Sequence, residues 1–254
     1  MKTILNKFKQ NTFFITTLWI LIISLLVKLL GLINKIFITR FLGPSGMSLY
    51  SLGIPTILLF INFSAFSLNT TLTKLIPEAI VSKEYSPKKL VLKSLKLALI
   101  ISIISITFLL LLLYPLLNNW LKEKNLFFPI LCSIPLFPLT GISDVLKGYL
   151  NGIKKMKHSS TANLLEQISR IIFSFTLLYF TKHLGIIIST CICFFSLSIG
   201  ELISIIYCLF KLRKYPPINY PNTKNEIRKI LSFSIPTTCS RLIGSFIFFL
   251  EPII

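Results

Sequence analysis

Ser24, Lys28, Gly31, Lys35 and Thr39 are spaced so that a helix, turning roughly 100° per residue, carries all five on one face. They lie inside an otherwise apolar stretch, residues 12–39, long enough to cross a bilayer, which takes about 20 apolar residues. A lysine at the bilayer centre costs about 2.5–3.5 kcal/mol on insertion scales. A cationic stripe in such a helix predicts a face turned toward protein or a wet cavity rather than lipid. For Lys28 a second reading fits as well. If the embedded part is residues 13–33, its long side chain snorkels to the nearer water interface.

Other polar groups punctuate the later apolar runs. Asn62, Phe66, Asn69 and Thr73 share a helix face, which is either a cavity wall or amide and hydroxyl glue between helices. Asp144 and Lys147 are three residues apart and can pair. Glu166 and Arg170 stand at i, i+4 in the favourable order for an ion pair. Glu201 sits deep in its run between Gly200 and Leu202, so it needs a proton or a cation partner and is a candidate for proton or cation coupling. Nothing resembles a catalytic triad, a P-loop or a metal box, so neither an enzyme nor a bound cofactor is expected. Cys132, Cys191, Cys193, Cys208 and Cys239 all fall within apolar runs and read as small buried hydrophobes.

The elements that position these groups follow from composition. The chain of 254 residues is 54% hydrophobic and 14% charged, with a mean hydropathy of +0.80. Soluble domains carry about 25% charged residues. So much apolar surface requires a lipid surround, and the expected class is an all-α, polytopic membrane bundle. Seven apolar runs cover residues 12–39, 50–75, 95–117, 126–146, 163–180, 184–209 and 230–254. They are continuous rather than alternating, which selects helices over a β-barrel. Pro55 is expected to interrupt the second span near its outer end. Pro135 and Pro138 predict a kinked or broken fourth span. The N-terminal run has a basic start and no small-residue cleavage site, so it reads as a retained helix.

The formal charge of +19 would suit nucleic acid, but the Lys and Arg residues crowd the short gaps between apolar runs. The N-terminal tail and the even-numbered connections hold nineteen of them, with Lys147 counted in the fourth connection, against four in the odd-numbered ones. The positive-inside rule then places the N-terminus in the cytoplasm and excludes nucleic acid as a partner. Lys28-Leu29-Leu30-Gly31 also echoes as Arg241-Leu242-Ile243-Gly244 six spans later, as two parallel six-helix repeats would require. The seventh run ends at Ile254 without a polar tail, which predicts the first part of a longer transporter or a truncated reading frame.

Four stretches carry a family resemblance. Residues 27–55, VKLLGLINKIFITRFLGPSGMSLYSLGIP, resemble the opening of stage V sporulation protein B and related polysaccharide exporters. Residues 72–78, LTKLIPE, look like the end of that family's second helix. Residues 144–171, DVLKGYLNGIKKMKHSSTANLLEQISRI, are similar to its [RK]-G-Y-x-x-G-x-x-x-M block with a following E-Q-x-x-R, and residues 232–254 resemble the start of a second lobe. The superfamily also includes lipid II flippases and MATE exporters. The resemblance implies two six-helix lobes around a central cavity, working by alternating access. Residues 1–229 would be the first lobe and residues 230–254 the first helix of the second, with the remainder encoded downstream or in an adjacent gene.

In the flippase branch the cavity is cationic and receives a polyprenyl pyrophosphate-linked saccharide, an anionic lipid-linked substrate. Lys28, Lys35, Arg40, Arg170 and Arg241 are the candidate cationic positions, with Asn62 and Asn69 as further substrate-binding candidates. Asp144, Glu166 and Glu201 are the ion-pair or coupling candidates. Lys35 stands where relatives often have Arg, which keeps the charge and loses the bidentate fork. Glu251 stands where Asp is common. The expected function is translocation of a cell-wall or spore-cortex precursor across the cytoplasmic membrane. A MATE-like drug/cation antiporter and a non-transporting membrane scaffold or fragment are the alternatives.

Overall fold

The computed structural model describes residues 2–181, 184–220 and 226–251, with side chains from residue 14 onward. Among the described residues the chain is helical, with no strand. Its α-helices are α1 (Lys2–Ala65), α2 (Leu68–Ser82), α3 (Pro87–Pro115), α4 (Phe127–Cys132), α5 (Leu136–Gly152), α6 (Met156–Thr181), α7 (Ile186–Lys214) and α8 (Glu226–Leu250).

The apolar stretch Phe14–Ser82 has 69 residues. As one straight helix it would be about 100 Å long, against a hydrocarbon core of about 30 Å. It is divided at two places. Within α1, two helices meet at Gly43, whose φ of 66° and ψ of −174° belong to a region essentially closed to residues with a Cβ. Pro44 follows with its φ already suited to a helix start. No atom lies within 4 Å of a Cβ built on Gly43, so the constraint there is conformational rather than steric. Gly43→Ala is expected to cost about 1–3 kcal/mol, read as a lowered melting temperature in detergent; an unchanged melt would show that another residue sets the turn.

The second division differs from the sequence expectation. The helix runs through Pro55 and breaks instead at Phe66 and Ser67, both left-handed at φ 46° and 47°. Proline is tolerated in membrane helices because neighbouring hydroxyls and helices re-satisfy the backbone. Two successive left-handed residues end the hydrogen-bond ladder outright. Beyond the break α2 starts afresh: the carbonyl of its N-cap Ser67 accepts the first helical bond, from the Thr71 amide at 3.1 Å, and a bond from Thr70 Oγ1 at 2.8 Å. The second apolar run is therefore a discontinuous helix. The fourth behaves as its prolines predict: residues 124–132 and α5 are bent by 42° across a break at residues 133–135.

Small residues let α5 sit deep in the bundle. A Cβ on Gly148 would lie 2.8 Å from the Asn69 carbonyl oxygen of α2, and one on Gly152 would lie 2.6 Å from Ile76 Cβ. Close approach through glycine is the usual route to tight helix packing in membranes. The apolar core around Leu68, Leu72, Ile76, Val145 and Tyr149 forms at this contact. The surface is apolar too. Leu21, Leu25, Leu32, Ile103, Leu111, Phe180, Phe210 and Ile247 are exposed, whereas Asn34, Lys147, Gln167 and many serines are buried. Apolar outside and polar inside is the distribution of a chain whose solvent is lipid. The protein is a multi-pass membrane protein.

Candidate functional site

Among the described residues two neighbouring polar regions share Arg170. The first is an open cavity of about 620 Å³ between α1, α6, α7 and the end of α8. Gly31, Asn34 and Lys35 reach it from the first half of α1, Tyr50 and Ser51 from the second half, and Gln167 and Arg170 from α6. Phe248 and Glu251 close it on the α8 side. Asn34 is held by Ser174, whose hydroxyl donates to Asn34 Oδ1 at 3.2 Å. Arg170 Nη1 donates to Gln167 Oε1 at 3.5 Å. Lys35 forms no ion pair among the described residues, so its ammonium is available to the cavity.

The second region is a buried charge network where α5, α6 and α7 meet. Lys147, 5% exposed, places Nζ 2.8 Å from Glu166 Oε2 and 3.6 Å from Glu201 Oε2. Glu166 Oε1 accepts from Arg170 Nη2 at 2.7 Å. Asp144 accepts from the Asn69 amide at 3.4 Å, and Asn69 Oδ1 accepts from Asn151 at 3.3 Å. Burying one charge alone costs several kcal/mol, so the acids are retained here because Lys147 and Arg170 lie among them. Glu201 Oε2 and Arg170 Nε are nonetheless buried without a hydrogen-bond partner.

The structure divides the residues singled out from sequence. Lys35 and Arg170 converge on the cavity; Lys28, Arg40 and Arg241 are exposed and do not line it. The α1 stripe is thus split, with Gly31 and Lys35 facing the cavity and Lys28 outside it. Asn62 donates to Ser245 Oγ at 2.7 Å, tying α1 to α8. Asn69 joins the buried network rather than the cavity. Glu166 pairs with Arg170 in the i, i+4 geometry expected from their spacing.

Lys147 requires a correction. It is not a loop cation, because α5 continues to Gly152 and carries it into the interior, where it meets Glu166 and Glu201 instead of Asp144. α5 extends past the end of the apolar run because Gly148 and Gly152 let it pack closely against α2. Gln167, Asn34 and Tyr50 were missed as lining residues. Gln167 carried a signal, three positions before Arg170 on the same helix face.

Comparison with known proteins gives the architecture a family. Residues 15–254 match the family described as polysaccharide biosynthesis protein. Stage V sporulation protein B of Bacillus subtilis (strain 168) is 29% identical over 254 residues, which covers 96% of this chain and 49% of the relative. The chain therefore spans about half the length of the curated relative it matches. Among solved structures, an outward-facing multidrug resistance MATE family transporter of the MOP superfamily superposes with a TM-score of 0.73 at 18% identity, over 87% of this chain and 50% of its own. A MOP superfamily transporter from Pyrococcus furiosus gives 0.68 at 20% identity, over 90% and 51%. At those identities the likeness is one of fold. On the family match across residues 15–254, the chain belongs to the polysaccharide biosynthesis protein family.

Proposed function

We propose that the chain forms the substrate-holding half of a flippase that moves a polyprenyl pyrophosphate-linked saccharide or peptidoglycan precursor across the cytoplasmic membrane by alternating access. Residues 1–229 are the first lobe, residues 230–254 open a second, and the N-terminal tail is cytoplasmic. The observation that carries this reading is the cavity beside α1, with the unpaired Lys35 and the Arg170 guanidinium on its wall. A diphosphate takes these cations while its polyprenyl chain stays in lipid. No bond need be made or broken. The family match to polysaccharide biosynthesis and the relative's sporulation role agree with such a cargo.

A drug/cation antiporter would place acids on this wall. Among the described lining residues Glu251 is the acid, against Lys35 and Arg170. The solved Pyrococcus furiosus transporter is described as having a binding pocket of reverse polarity that suggests a different function. Pockets of this fold thus differ in charge, and charge is the property to test.

The experiment is binding of a water-soluble short-chain prenyl diphosphate sugar to the purified chain. Lys35→Glu is expected to weaken binding by about tenfold or more, since a charge-assisted hydrogen bond is worth about 1.5–3 kcal/mol. Lys35→Arg is expected to keep or strengthen it through the bidentate fork. Affinity indifferent to both substitutions, or a preference for a cationic dye, would discard the anionic-cargo reading.

A further inference from the structure

A second group of cations gathers away from the cavity, where the α5–α6 turn meets the C-terminal end of α7. Lys154 is left-handed, with φ 62°, and the turn it makes sets Lys155 beside the start of α6. Lys155 Nζ stands 4.9 Å over the Tyr215 ring, and Lys211 Nζ stands 5.3 Å over Tyr207. His158 joins the two rings. Its Nδ1 is 3.4 Å from Tyr207 Oη, and its ring centre is 5.9 Å from that of Tyr215. Tyr215 is held in place by its carbonyl, which accepts from Tyr149 Oη at 3.2 Å.

No acid pairs with Lys155, Lys211 or Lys214 among the described residues. Like charges gathered without a counter-ion repel one another, and an anion relieves that repulsion. The neighbouring α7 side chains Ile206, Leu209 and Phe210 are exposed and apolar, so lipid reaches the edge of the cluster. Tyrosines beside cations at the end of an apolar run are the residues of a membrane–water interface.

We propose that Lys155, His158 and Lys211, framed by Tyr207 and Tyr215, bind the phosphate of an anionic lipid headgroup. Two lysines and an imidazole supply the donors, and the phenolic rings fix where they stand. The bound lipid bridges the α5–α6 turn to the end of α7, and its acyl chains run along the exposed face of α7. This site is separate from the cavity and does not depend on the cargo proposed for it.

The test uses the purified chain in detergent, titrated with short-chain phosphatidic acid and followed by native mass spectrometry. Phosphatidylcholine of the same chain length and inorganic phosphate are the comparison ligands. With Lys155→Gln/Lys211→Gln, affinity for phosphatidic acid is expected to fall about tenfold or more, each lysine near an anionic surface being worth about 1 kcal/mol. Lys122→Gln/Lys124→Gln, in the third-to-fourth-span connection, is expected to leave it unchanged. Where the first pair lowers stability, Lys155→Gln alone repeats the test on an exposed side chain. Equal losses in both pairs would show bulk charge attraction. Saturation by inorganic phosphate alone would show a free-phosphate site. Either result, or an unchanged affinity, overturns the proposal.

Discussion

Lys147→Met is expected to lower stability by about 3–5 kcal/mol, the cost typical of breaking a buried ion pair from one side. The side chain keeps similar bulk, so packing changes little and the effect isolates the charge. Glu166 is left with Arg170 alone, and Glu201 loses its ammonium neighbour at 3.6 Å. Both carboxylates are largely buried, so water cannot take over the role. The expected readout is a collapse of the melting transition in detergent and loss of the monodisperse peak. Adding Glu201→Gln to Lys147→Met should recover part of the loss, because the group left unpaired is then neutral. A single variant that melts with the parent would mean that the network contributes nothing to the fold.

The second large effect belongs to Gly148. Both nearest atoms to a Cβ at this position, at 2.8 and 2.9 Å, are backbone atoms of Asn69. No rotamer change can relieve that overlap; α5 must move away from α2. The movement would also stretch the Asn69 contacts to Asp144 and Asn151, already at 3.4 and 3.3 Å. Gly148→Ala is therefore expected to cost about 1–3 kcal/mol through overpacking, and Gly148→Val more. Gly244→Ala supplies the opposite sign. Nothing lies within 4 Å of its Cβ position, so the helix propensity of Ala is gained, up to about 1 kcal/mol. Thermal melts of both variants, compared with the parent, check the pair. Equal shifts in one direction would show that α5 does not sit against α2 as described.

Much of the fold was legible because its signals are local. Continuous apolar runs announce membrane helices whatever their neighbours do. Pro135 announced the break in the fourth span because a missing amide acts within one turn of its own helix. Glu166 and Arg170 announced their pairing because i, i+4 neighbours on a helix meet without any tertiary help. The break at Phe66–Ser67 carried no comparable mark. Neither residue is a glycine or a proline, and their left-handed geometry is stabilised by the surrounding bundle.

The charges show the same boundary more sharply. From the sequence alone came the membrane class, the helical spans, the cationic stripe of Lys28 and Lys35, and the basic connections. Tertiary structure alone decided which cations meet what. It sent Lys35 to the cavity and left Lys28 outside, drew Lys147 from an apparent loop into the interior, and brought Arg170 to both polar regions. The physical reason is one of range. Hydrophobic length and helical spacing are properties of contiguous residues, whereas the fate of a charge depends on burial and on partners tens of residues away.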